Sequence, residues 1–318
     1  MKSSIVLSVH NKAHYLDVFL DQLRRSARDA ELVAVDDGST DGTQAILGCY
    51  ADRLIVTNDI WEVRANNAGI AAATGDWVAI VQDDDFILAA DWLDVCVDFM
   101  ESNGIDILSG RGVGQIGVRC VSSENPPQSS WQIPNKIEAL DNIPDPPVID
   151  GDHYIYLHTI AKRFRLPSDN RFESMVTLCP MVIRSPLILS RRALDMVGLL
   201  DEGFAPLLYD DLDYCMRANA HGLKVAFTSI PHFSRFGGGS KDLYTDPNKK
   251  RLFQEVERRN RHMLLARHKH RFINPKEIYV QNIGIIRFDL LPPRFSSCTG
   301  FADAYFSAQS WAPFSKAP

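Results

Sequence analysis

The chain has 318 residues, 45% of them apolar and 23% charged, with a formal net charge of −6. That is an ordinary globular composition with ample material for a core, organised as one large domain or two small ones. The acidic balance argues against general nucleic-acid affinity, no run of about 18 apolar residues is present to span a membrane, and the six scattered cysteines lack the C-x-x-C pair of a zinc or redox motif.

Residues 1–7 carry no long apolar segment and lead straight into a strand, so no signal peptide is expected and a reducing cytosol is the expected compartment. Residues 4–9 read as a short buried strand. Leu16, Phe19, Leu20 and Leu23 then recur at helical spacing and predict a helix over 13–27. A strand over 31–36, a helix over 41–51 capped by Thr40 or Asp41, and a strand over 54–57 follow. A helix over 65–74, a strand over 77–81 and a helix over 90–102 complete the first third. Strands alternating with helices predict βαβ units and a mostly parallel sheet.

From 110 to 175 glycines and prolines break the pattern, which reads as an irregular insertion or loop layer. Order returns with a strand over 183–189, a helix over 191–197, a helix over 209–221 ended by Gly222, and a strand over 224–227. Lys249-Lys250-Arg251, Arg258-Arg259 and Arg267 to Arg271 alternate with Leu252, Phe253, Val256, Met263, Leu264 and Leu265, as in a basic amphipathic helix.

Three acidic clusters carry the chemistry. Asp36-Asp37-Gly38-Ser39-Thr40-Asp41 follows one strand, Asp83-Asp84-Asp85 follows another, and Asp210-Asp211-Leu212-Asp213 opens a helix. Adjacent carboxylates repel unless a cation or hydrogen-bond donors compensate. A hard divalent cation, its shell completed by phosphate oxygens, is the usual compensation. In open α/β sheets ligands bind beyond the carboxyl ends of strands, where the first two clusters sit.

Taken in order, Ser8-Val9-His10-Asn11, Val35 to Thr43, Arg64 to Trp77, Asp83-Asp84-Asp85, Ser190 to Ala193, Val197 to Glu202, Asp210 to Asp213 with Arg217, and His232 give a chain that resembles an inverting bacterial family 2 glycosyltransferase over residues 4–235. The resemblance implies a GT-A fold: α/β, Rossmann-like, a mostly parallel central sheet flanked by helices, with a helical C-terminal extension. It divides the chain into a glycosyltransferase domain over 1–245 and a basic helical extension over 246–318. Within the domain, 1–109 would bind the nucleotide, 110–175 would be the insertion and 176–245 would carry the acceptor and base.

The same resemblance implies site roles. Ser8 and His10 would line the base pocket and Asp37 would accept from the base. Asp83 and Asp84 would meet the nucleotide, with Asp84, Asp85 and His232 as ligands of Mn²⁺ or Mg²⁺. The register of the D-x-D pattern stays open between Gln82-x-Asp84 and Asp83-x-Asp85. The glycines Gly237 to Gly239 would form a mobile loop over the donor. Asp211, or else Asp210, would be the general base, with Asp213 in support through Arg217. Arg191 or Arg192 would approach a phosphate or be solvated. The donor would be a UDP-, dTDP- or GDP-linked sugar and the acceptor a glycan or lipid-linked hydroxyl, in surface polysaccharide or glycolipid assembly. The basic helix would pack on the catalytic domain with a solvated face, or touch anionic lipid on the inner face of the plasma membrane.

Two rival readings remain at this level. A nucleotidyltransferase would want a glycine-rich phosphate loop after the first strand, whereas Val9-His10-Asn11-Lys12-Ala13 has no glycine. A degenerate nucleotide- or glycan-binding module would be expected to lose one of the acidic clusters, and all three are present.

Overall fold

The structure is a computed structural model and describes residues 2–112, 115–121, 154–158, 176–228, 230–234, 246–268, 282–287 and 290–297. Strands β1 (Ser3–Val9), β2 (Glu31–Asp37), β3 (Arg53–Thr57) and β4 (Trp77–Val81) are joined by helices α1 (Ala13–Ser26), α2 (Thr43–Tyr50) and α3 (Trp61–Ala72). Short strands β5 (Asp85–Ile87) and β6 (Ala89–Ala90) lead to α4 (Trp92–Asn103). Next come β7 (Ile107–Gly112), β8 (Gln115–Val121), β9 (Tyr154–His158), β10 (Val176–Leu178) and β11 (Val182–Ser190). The last elements are α5 (Arg191–Val197), α6 (Asp210–Ala220), β12 (Val225–Thr228), β13 (His232–Ser234), α7 (Pro247–His268), β14 (Asn282–Arg287) and β15 (Ser296–Ser297).

Eleven strands form one sheet in the order β3-β2-β1-β4-β11-β7-β12-β10-β14-β8-β9. The first four are parallel, as the alternation of strands and helices predicts. Beyond them the sheet is mixed, because β11 runs antiparallel to both β4 and β7. The glycine-rich stretch read as irregular contributes β8 and β9 to the far edge. The tail also enters the sheet, since β14 lies between β10 and β8.

Alternation along β1 explains why the sheet is covered on both sides. Ile5 and Leu7 face Leu16, Phe19, Leu20 and Leu23 of α1 and Trp92, Cys96 and Met100 of α4. Val6 faces the opposite way, toward Val63 and Ile70 of α3 and Leu212, Cys215 and Met216 of α6. Each such large side chain fully buried contributes roughly 1.5–3 kcal/mol. Helix α7 joins this second layer through Val256, Asn260, Leu264 and His268, all buried and spaced by four residues. Leu252, taken as part of its apolar stripe, is instead 47% exposed. Cys96, Cys179 and Cys215 are buried free thiols, and Cys49 is exposed.

Candidate active site

The strand order 3-2-1-4 reverses direction between β1 and β4, and a crevice opens there at the strands' carboxyl ends. It is a cleft of ≈ 400 Å³. One wall is the end of β1 with Ser8, His10 and Lys12, beside Asp37 from β2. The floor is Val81 to Asp84, and the facing wall is Trp61, Glu62 and Asn66 of α3 with Arg184 of β11 and Leu207. Lys249, from the first turn of α7, completes the lining.

Ser8, His10, Asp37, Asp83 and Asp84 are thus brought together. Ser8 Oγ donates to Asn66 Oδ1 at 3.0 Å. His10 Nδ1 donates to the Asp37 carbonyl at 2.7 Å while its Nε2 accepts from Asn11 Nδ2 at 2.9 Å, which selects one neutral tautomer. Asp37 Oδ1 accepts from Thr57 Oγ1 at 2.7 Å and from the Ile60 N–H at 2.8 Å. Its Oδ2 accepts from the Trp61 N–H at 2.7 Å. Asp37 therefore shapes the turn into α3 as well as lining the cleft. Gly38 permits this turn: its φ is +71°, and a Cβ there would sit 2.7 Å from the Asp59 nitrogen. The other members of the first cluster serve local structure. Asp41 accepts from the N–H groups of Ala13 at 3.1 Å and Thr43 at 2.9 Å, and Gly42 takes the cap position of α2.

In the second cluster the three carboxylates have separate fates. Asp83 faces Lys12, whose Nζ lies 3.9 Å away. Burial, with Asp84 and Glu62 nearby and Lys12 opposing, raises the Asp83 pKa to about 7. Asp84 is 2% exposed and also lines the cleft. Asp85 does not line it, because its carboxylate accepts from Ser185 Oγ and its backbone belongs to β5. His232 opens β13, which pairs with β5 so that Ser234 stands opposite Asp85. Gly237 to Gly239 lie outside the described residues. Among the described residues no three His, Cys, Asp or Glu side chains form a complete ion cage. Asp83 and Asp84 still fit a hard cation that takes its remaining oxygens from a bound diphosphate, since burial, reinforced by Asp84 and Glu62, disfavours the Asp83 anion, and such an ion would stabilise it.

The third cluster lies behind the cleft wall. Asp210 is 0% exposed and Asp211 7%, and neither lines the cleft. Arg184, 4% exposed, stands between. Its Nη2 lies 2.9 Å from Asp210 Oδ2 and 3.2 Å from Glu62 Oε1, and its backbone N–H donates to Asp211 Oδ2 at 2.9 Å. Burial, outweighing Arg184 and reinforced by Asp211 and Glu62, raises the Asp210 pKa to about 7. Asp213 goes the other way. Burial raises it, but hydrogen bonds from His268 and Arg217 prevail and hold it below the ordinary carboxylate range. Arg217 Nε donates to Asp213 Oδ2 at 2.8 Å, the i,i+4 pair expected from the sequence.

Arg184 and Lys249, with Lys12, Trp61, Glu62, Asn66 and Leu207, are among the cleft residues to which the sequence assigned no role. Arg191 and Arg192 are held away from it: Arg191 Nη2 donates to the Ala73 carbonyl at 3.0 Å, and Arg192 Nη1 pairs with Asp106 at 3.1 Å.

The family model described as glycosyl transferase family 2 matches residues 4–157, which hold β1 to β4, Asp37 and the triple aspartate. These residues belong to glycosyltransferase family 2. The parallel first half of the sheet, flanked by helices and with its acidic turns at the strand ends, agrees with the GT-A fold of that family. The chain is 25% identical over 309 residues to the uncharacterized protein y4gI of Sinorhizobium fredii, covering 93% of this chain and 31% of that one. It is 38% identical over 97 residues to a PGL/p-HBAD biosynthesis glycosyltransferase of Mycobacterium bovis, covering 28% of this chain and 38% of that one. The chain thus spans less than half the length of these curated relatives. Among solved structures it is similar to S. aureus TarS 1–349 in complex with UDP-GlcNAc, at 19% identity and TM-score 0.46, covering 84% of this chain and 66% of that one.

Proposed function

We propose that this glycosyltransferase moves a sugar from a nucleoside-diphosphate donor to a hydroxyl acceptor, with inversion and with the help of Mn²⁺ or Mg²⁺. The observation that carries the reading is the convergence of Asp37, Asp83, Asp84 and Lys12 on one cleft at the carboxyl ends of β1, β2 and β4. Ser8, His10 and the turn held by Asp37 would receive the base and ribose. Asp83 and Asp84 would hold the cation, and Lys12 adds a fixed positive charge beside them. A bound cation would supply neutralisation of the charge growing on the departing diphosphate.

Asp211 is assigned the general base. It keeps 7% exposure, whereas Asp210 is fully enclosed and engaged by Arg184. Asp211 would take the acceptor proton as that oxygen attacks the anomeric carbon opposite the nucleotide. Asp210 and Arg184 would fix its surroundings. The acceptor would be a glycan or lipid-linked hydroxyl. The exposed basic residues of α7 are compatible with an acceptor presented at an anionic membrane surface.

The test is release of nucleoside diphosphate from a panel of UDP-, dTDP- and GDP-sugars with Mn²⁺ or EDTA. One donor should be consumed only with metal, and Asp211→Asn should slow it by about 10²- to 10⁴-fold. Full activity in an Asp210→Asn/Asp211→Asn double variant would remove the base assignment.

A further inference from the structure

We propose that helix α7 is the brace that aims the base-bearing loop, with Asn260 as its positioning residue. The proposal rests on the reading that Asp210 and Asp211 serve the acceptor. The segment just before them is unusual: Leu208 and Tyr209 have φ of 75° and 72°, in the left-handed region, and neither is glycine. Each such residue costs about 1–2 kcal/mol, so the conformation persists only where its surroundings hold it. Three carbonyls of this segment turn toward one point and would repel one another there.

Asn260 occupies that point. It is 0% exposed, and its Nδ2 donates to the carbonyls of Phe204 at 2.7 Å, Leu207 at 2.9 Å and Leu208 at 3.0 Å. The two N–H groups of one amide, one of them shared, thus serve three carbonyls of this turn. Arg259 donates to the neighbouring Ala205 carbonyl.

A second tie lies two turns further along α7. His268 Nε2 donates to Asp213 Oδ1 at 2.9 Å, and Arg267 pairs with Asp201 and, at 3.4 Å, with Asp213. The helix therefore grips the loop that enters α6 and the first turn of α6 itself. Its other end supplies Lys249 to the cleft lining. The C-terminal helix is part of the catalytic unit, placed to fix where Asp210 and Asp211 stand.

The experiment uses the full chain and three substitutions. Asn260→Ala removes the donor, Asn260→Asp keeps the volume but sets a carboxylate against three carbonyls, and Arg251→Ala alters the exposed face of α7 as a control. Chymotrypsin should cut between Phe204 and Tyr209 in both Asn260 variants and leave this segment uncut in wild type and Arg251→Ala. Binding of UDP, GDP, dTDP and CDP with Mn²⁺ should be unchanged in the Asn260 variants. Their kcat for sugar-nucleotide hydrolysis should fall about 10²-fold with KM for the donor unchanged, as for a misplaced catalytic group. Should Asn260→Ala fail to fold, Asn260→Ser, which retains one donor, should show the same pattern more weakly. A loop as resistant in Asn260→Asp as in wild type, or equal losses in nucleotide affinity and kcat, would overturn the proposal. A wild-type chain that binds no nucleotide would instead defeat the donor reading, while the protease result still decides the brace.

Discussion

Arg184 and Asp210 form a buried ion pair, 2.9 Å from Nη2 to Oδ2, in which both residues are at most 4% exposed. The same nitrogen reaches Glu62 in the cleft wall, so one guanidinium links the donor cleft to the helix that carries the acidic pair.

Removing one partner of a buried pair leaves the other charge uncompensated, at about 3–5 kcal/mol. Arg184→Ala should therefore lower unfolding stability by that amount in urea titrations at pH 8. Asp210→Asn should cost less, because Arg184 keeps Glu62. Equal, small effects below about 1 kcal/mol would mean that the pair is solvated.

The raised pKa of Asp210 sets a pH dependence. Its carboxyl titrates at about 7 in the folded chain against an ordinary 3.8. The folded state then binds the extra proton between these values. The stability this contributes is complete below pH 3.8 and is lost as pH rises through about 7. Relative to Asp210→Asn, wild type should lose stability steadily from pH 4 to 7 and then level off, in thermal or urea unfolding with EDTA present. A constant difference across that range would contradict the enclosed carboxyl.

Asp37 and Asp83 should respond in opposite directions. Asp37 satisfies two backbone N–H groups and the Thr57 hydroxyl. Asp37→Ala strands those donors and should destabilise by roughly 2–3 kcal/mol. Asp83, lifted to about 7 by burial and its acidic neighbours, is a strained anion at pH 8. Asp83→Asn should leave the metal-free chain as stable or more stable, by on the order of 1 kcal/mol, while weakening metal-dependent nucleotide binding. Parallel melting curves of the two variants decide this; a destabilised Asp83→Asn would show that the carboxylate is structural.

The parallel half of the sheet and its acidic turns were legible in the sequence because their signals are local. β1 and β4 are short apolar runs, and Asp37-Gly38 announces a turn. Arg184 was hidden inside an apolar strand pattern, where its partners lie 26 and more residues away. A charge within a buried strand was the available signal, since such a residue needs a partner. Asn260 was masked by the basic residues around it. Its place in the four-residue spacing of Val256, Leu264 and His268 was the clue that it faces inward. The strands β8, β9 and β14 are set by pairings distant in sequence, which glycine and proline punctuation does not reveal.

The central claim is a metal-assisted nucleoside-diphosphate site in the cleft of Asp37, Asp83 and Asp84. Calorimetric titration of UDP, GDP, dTDP and CDP, with and without Mn²⁺, into wild type and an Asp83→Ala/Asp84→Ala variant tests it most directly. The account predicts that wild type binds one of the four with Mn²⁺ and that the variant, still folded, does not. A folded wild type that binds none of them, or a variant that binds as tightly as wild type, would contradict it.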